Sequence, residues 1–237
     1  MSAFPGGTSV SRLTVYDWPT PDGLRGGSPH LHTVSAEGYV VLSGTGSLET
    51  LSAAGHEEYE LTGGRVLWFS PGTVHRLVNT GGDLELVVVM QNAGLPESGD
   101  AVFTFPPDVL ADPERYRSAA ALLATDDETV LAEAAMRRRD LAIDGYLRLR
   151  DRIQGGDRSA LTELHAAAAA LVRGRVGQWR ERWRSGPLAQ AVATGEQLDA
   201  LGDGRATHLA QAAVQTAPGP AAKYGMCGHL STYQLSE

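Results

Sequence analysis

Three histidines and one glutamate near the start of the chain have the types and spacing of a metal site. In Ser28-Pro29-His30-Leu31-His32-Thr33-Val34-Ser35-Ala36-Glu37, two imidazoles stand at i and i+2. On a strand such positions point to the same side, so His30 and His32 enter one space. Pro29 suits the first residue of a strand. Glu37 follows His32 by five residues, beyond a turn, and offers a carboxylate from the next strand. His75 follows the tight turn Ser70-Pro71-Gly72-Thr73 and offers a fourth ligand. Three imidazoles and one carboxylate suit Fe, Mn, Co, Ni, Zn or Cu, with no choice among them from ligand type alone. Four protein ligands leave two positions open on an octahedral ion, and a catalytic metal needs open positions. His-x-His by itself reads equally well as two ordinary histidines. Glu37 and His75 at this spacing tip the balance toward a metal.

The elements that must position these groups fall into two halves. The first half holds short β-like runs, among them Val40–Leu42, Val66–Phe69 and Leu84–Met90, punctuated by glycines. Regular short strands between turn signals predict a sandwich or barrel. From Val87 to Met90 both faces are apolar, which fits a strand covered on both sides. The second half is helical. Asp112-Pro113 opens a first helix, with Asp as N-cap. Thr125-x-x-Glu128 has the form of a capping box before a long helix to about Ile153. A third helix is expected from about Ser159 to Trp183, weakened at Gly174 and Gly177. Helical signal continues over Leu188–Leu201 and Thr207–Val214. The tail alternates like a strand over Leu230–Leu235 and is expected to return to the β half. The expected division is therefore a β-barrel domain over 1–110 and a helical region over 111–237.

With both motifs in view, the first half resembles the cupin superfamily. The first cupin motif is matched by His30-x-His32, four residues, Glu37, six residues and Gly44. The second is matched by Gly64, five residues, Ser70-Pro71-Gly72-Thr73-Val74-His75 and Asn79. Leu24 stands where the family has a glycine, and Ser70 where it has a proline. The resemblance covers about residues 12–105. It implies an α+β chain with an N-terminal antiparallel jelly-roll barrel, and a divalent metal held by His30, His32, Glu37 and His75. It also implies a mostly apolar pocket inside the barrel, with Tyr39, Val41 and Leu77 facing inward. Leu86, Val88 and Met90 are inward candidates on the next strand. Glu37, as a base, and Tyr39, as a donor, are the catalytic candidates. Reaction types of the superfamily include dioxygenation, decarboxylation and isomerisation, and barrels of this type commonly form homodimers. A small-molecule-binding or sensory cupin without turnover is the alternative.

Composition narrows the partners. The 237 residues carry a formal net charge of −8, and an acidic chain repels nucleic-acid backbones. No basic recognition helix is evident, so no nucleic acid is expected. No apolar run approaches the roughly 20 residues of a membrane span, and no signal peptide is visible. The single cysteine, Cys227, makes an internal disulfide impossible. A cytoplasmic protein acting on a small molecule is the expectation. Among the remaining residues, His56 reads as solvated at a hairpin turn and His165 as a hydrogen-bonded histidine on a packed helix face. Arg137-Arg138-Arg139 reads as a solvated helix face, Trp179 and Trp183 as packing, Asn79 as a turn cap, and Cys227 as a buried thiol.

Overall fold

The computed structural model describes residues 4–233. Eleven strands lie among these residues. They are β1 (Ser9–Val15), β2 (His30–His32), β3 (Glu37–Ser43), β4 (Thr45–Ser52), β5 (Gly55–Thr62), β6 (Val66–Phe69), β7 (Val74–Val78), β8 (Glu85–Met90), β9 (Ala101–Phe103), β10 (Ala221–Tyr224) and β11 (Gly228–Thr232). They form two antiparallel sheets, ordered β10-β11-β1-β8-β3-β6 and β5-β4-β7-β2-β9. The helices are α1 (Pro107–Leu110), α2 (Pro113–Ala120), α3 (Glu128–Gln154), α4 (Ser159–Val172), α5 (Val176–Trp183) and α6 (Ala189–Gly202). The chain is α+β, as its patterning predicts. No helix among the described residues is long and apolar enough to cross a membrane.

Two apolar cores result. One fills the barrel between the sheets, with Leu13, Tyr39, Val41, Leu77, Leu86 and Val88. Alternation therefore read the inward faces of β3 and β7 correctly, and the candidates Leu86, Val88 and Met90 on β8 face the barrel too. The other lies between the second sheet and the helices, where Leu31, Val74 and Phe103 meet Tyr146, Leu164 and Trp179. Every residue of β2 and β7 is buried. Their inner faces look into the barrel and their outer faces are roofed by helices, so His30, His32 and His75 sit on strands shielded on both sides. Helix α3 comes very close to the barrel at Gly145. A Cβ there would lie 2.0 Å from the Thr104 carbonyl oxygen, so only glycine permits the approach.

At the other end of the chain, β11 lies antiparallel to β1, with Leu230 opposite Leu13, and β10 pairs with β11. Residues 234 and 235 of the expected tail strand lie outside the described residues. A Cβ at Gly228 would approach the Thr14 carbonyl oxygen to 2.0 Å, which fixes a glycine where β11 meets β1.

Several helical expectations are corrected. The cap of α3 is Asp127, whose carboxylate accepts from the N–H groups of Thr129 and Val130. Thr125 instead takes the Asp127 N–H. The 159–183 helix is interrupted by a 3₁₀ turn over Arg173–Arg175, at the expected weak point Gly174. Thr207–Val214 is not an α-helix. Only Thr207–Gln211 forms a 3₁₀ turn, because Leu209 and Val214 are exposed and burial gives that segment nothing to fold against.

Candidate metal centre

Strand geometry brings the four ligand candidates together. His30 pairs in register with His75 across β2 and β7, and Glu37 enters at the start of β3. One ligand atom from each of His30, His32, Glu37 and His75 lies within 4.8 Å of the others, and all four residues are buried. His75 Nε2 is 3.1 Å from His30 Nε2 and 3.1 Å from Glu37 Oε2. His32 Nε2 is 3.2 Å from the same oxygen.

The outer nitrogen of each ring is already engaged. His30 Nδ1 faces the Ser28 carbonyl at 2.9 Å, and His75 Nδ1 faces the Thr73 carbonyl at 3.1 Å. A carbonyl has no proton to give, so each of these nitrogens must be the donor. Their Nε2 atoms, when the rings are neutral, are bare lone pairs turned toward each other. His32 Nδ1 meets Asp100 Oδ1 at 2.5 Å, and Asp100 Oδ2 accepts the Ser35 N–H at 3.0 Å. A carboxylate behind a ligating histidine fixes its tautomer and raises its basicity.

Glu37 Oε2 is buried and makes no hydrogen bond, although two imidazole nitrogens are close. The His30 and His75 lone pairs facing the Glu37 oxygen are repulsive unless a cation sits among them, either a metal ion or the proton on His32 Nε2. The group therefore fits a divalent metal, and its chemistry is that of a borderline transition ion.

The electrostatics agree. Burial and the neighbouring imidazoles hold the pKa of His30 well below its usual value. His32 behaves oppositely. Burial opposes its charge, but Asp100 and Glu37 on either side outweigh burial and push it up to about 10. Glu37 is held well below the carboxylate range, because His75 and His32 overcome the cost of burial. Metal entry at this group would displace the proton from His32 Nε2. Tyr39 is buried beside Phe69, with ring centroids 5.4 Å apart, and its hydroxyl has no hydrogen-bond partner. Burial and the nearby Glu37 raise its pKa, so it stays protonated.

The histidine group opens on a cavity of roughly 720 Å³. Leu13, Val88 and Met90 form part of its apolar wall. The C-terminal half supplies Arg138, Lys223, Tyr224 and Cys227. Cys227 is buried, with Sγ 3.9 Å from His30 Nδ1, and burial raises its pKa.

Residues 20–90 match the family model of the cupin domain. Over these residues the barrel is similar to a cupin domain. Solved structures with similar barrels include an uncharacterized conserved protein with a double-stranded β-helix domain from Klebsiella pneumoniae. It is 19% identical over 38% of this chain and 70% of its own, with a TM-score of 0.31. Pac13, a nucleoside dehydratase from Streptomyces, is 20% identical over 41% of this chain and 68% of its own, with a TM-score of 0.32. A predicted oxalate decarboxylase from Thermotoga maritima is 21% identical over 35% of this chain and 64% of its own, with a TM-score of 0.27. No curated protein matches the chain.

Around this site, some of the other residues follow their sequence reading and some depart from it. Only Arg137 of the arginine triplet is solvated. Arg139 is fully buried, paired with Asp140 at 2.8 Å and donating to the Trp18 and Pro19 carbonyls. Arg138 lines the cavity. His56 is half-buried on β5 rather than solvated. His165 is half-buried and bonds the Gly72 carbonyl at 2.8 Å, bracing the turn before His75. Asn79 caps a turn, accepting from the Gly82 and Leu84 N–H groups. Trp179 is buried, whereas Trp183 is exposed. Sequence reasoning missed Asp100 and Arg138. No local spacing in the sequence pointed to Asp100, which meets His32 from 68 residues away.

Proposed function

We propose that the chain is a metal-dependent cupin enzyme acting on a small organic molecule held in the barrel, of dioxygenase, decarboxylase or isomerase type. The observation that carries this reading is the convergence of the bare His30 and His75 Nε2 atoms and the Glu37 carboxylate beside a largely apolar cavity. His30, His32, Glu37 and His75 would hold one divalent Fe, Mn, Ni, Zn or Cu ion. When bound, such an ion supplies Lewis-acid polarisation of a ligated substrate oxygen and, for a redox metal, electron exchange.

The chain's own groups do the rest. Leu13, Val88 and Met90 exclude water from one wall. Glu37 is ionised, and on leaving the metal it would take a proton from substrate. Tyr39 keeps its proton and is placed beside Glu37 to donate a hydrogen bond. The proposed assembly is a homodimer through the outer face of the first sheet, where Leu42, Val66 and Trp68 are exposed.

Plasma mass spectrometry of the untagged protein tests the reading. About one metal per chain, lost in His30→Ala and His75→Ala, is expected from a single four-ligand site. A metal-free protein after growth in supplemented medium overturns it. Bound metal without turnover in oxygen-uptake and CO₂-release screens would make this a binding protein.

A further inference from the structure

Arg138 stands in the wall of the cavity with a charge that no carboxylate among the described residues answers. It projects from α3, half-buried, and its Nη1 and Nη2 donate to the Ala120 and Gly225 carbonyls at 3.2 and 2.7 Å. Its guanidinium lies 5.1 Å over the Phe103 ring. Its Nε is buried and has no partner among the described residues. The other inward arginines differ. Arg76 is met by Asp22 and Glu49, and Arg139 by Asp140. Around Arg138 are Tyr16, Tyr116 and Cys227, and burial lowers its pKa.

Two acids line the same cavity. Glu37 belongs to the histidine group, and Glu97 is exposed and takes the Gly94 N–H. Lys223, the only lysine of the chain, lines the cavity too. A guanidinium has five donors, and two of these are used. A planar anion that accepts in bidentate fashion is its natural complement.

We infer that the substrate of this site is a small organic carboxylate. Its carboxyl group pairs with Arg138, and its reacting end lies at the His30–His32–Glu37–His75 group. This deepens the proposed function and rests on that reading. It assigns to the C-terminal helical half the part of selecting the substrate by charge. A neutral analogue would leave the guanidinium unanswered in a partly desolvated wall, and such mispairing discriminates strongly.

The test is isothermal titration of the full-length protein with pyruvate, malonate and benzoate against pyruvamide, malonamide and benzamide, with inorganic phosphate as a further probe. At least one acid should bind while its amide does not. Arg138→Gln should weaken that acid by about 30-fold or more, as expected for truncating one partner of a buried charge pair, with metal content unchanged. Arg138→Lys should restore part of the preference.

Equal binding of acid and amide, phosphate bound in place of every acid, no acid bound in the millimolar range, or an unchanged Arg138→Gln each overturns the inference. If Arg138→Gln does not fold by circular dichroism, the acid–amide comparison on the unsubstituted protein decides. A metal-free protein that still prefers acids through Arg138 would sink the metal reading and leave this one standing. A metal-loaded protein indifferent to the acid would do the reverse.

Discussion

Asp100→Asn removes a single charge behind the candidate metal centre and leaves side-chain volume almost unchanged. Asp100 is fully buried. Its two oxygens serve two donors, His32 Nδ1 at 2.5 Å and the Ser35 N–H at 3.0 Å. An asparagine has one oxygen, so one donor would face an NH₂ group whichever way the amide turns. The carboxylate that raises His32 basicity also disappears. Loss of such an outer partner costs about 10- to 100-fold in metal affinity, or about 1.4–2.7 kcal/mol. The assay is competition between metal-stripped protein and a chelating dye of known affinity, titrated with Zn²⁺ or Co²⁺, with circular dichroism to verify folding. Ser35→Ala is the control. Asp100 holds the Ser35 backbone N–H, and the Ser35 hydroxyl has no hydrogen-bond partner, so its removal should leave affinity unchanged. An Asp100→Asn affinity within twofold of the unsubstituted protein would refute the role given to this carboxylate.

Three further outcomes are expected. Arg76→Ala should destabilise the fold by about 3–5 kcal/mol in urea unfolding, because it strands the half-buried Asp22 and buried Glu49 carboxylates without their cation; a loss under about 1 kcal/mol contradicts this. Asp22 beside Arg76 is held down to about 2 from an ordinary 3.8, its hydrogen bonds to Arg76 and Thr20 overcoming the cost of burial. Its folded-state value is depressed, so its contribution of about 2 kcal/mol is present above about pH 4 and lost as pH falls through about 2. The stability gap between the unsubstituted protein and Asp22→Asn should narrow across that window, and a gap independent of pH would count against the pairing. Trp68, 77% exposed beside Val66 on the outer sheet face, should control assembly. Light scattering should find a dimer that Trp68→Glu converts to a monomer, and an unsubstituted monomer at micromolar concentration would dispose of that interface.

How much of this was legible in the sequence depends on how far each partner travels along the chain. The metal group was readable because its geometry is local. A two-residue period places His30 and His32 on one face, and a glycine turn delivers His75 onto the strand opposite. Asp100 reaches His32 from 68 residues away, and no local period announces it. The Arg137-Arg138-Arg139 triplet was misread because three consecutive charges usually lie on a solvated face. Helix α3 instead packs on the barrel and touches the β10–β11 hairpin, which belongs to the first sheet. Carbonyls of the Trp18–Pro19 loop and the Gly225 turn meet Arg139 and Arg138 there. Burial of a charge is decided by those distant acceptors, which patterning along one helix cannot register. The same reasoning explains the misassigned cap. Thr125 and Asp127 competed for one helix start, and Asp ranks above Thr at that position. Cavity and charge therefore arise at different levels of the sequence. The barrel and its ligands are written in short-range periods, whereas the cation that would choose the substrate comes from the helical half and becomes visible only once that half is folded against the barrel.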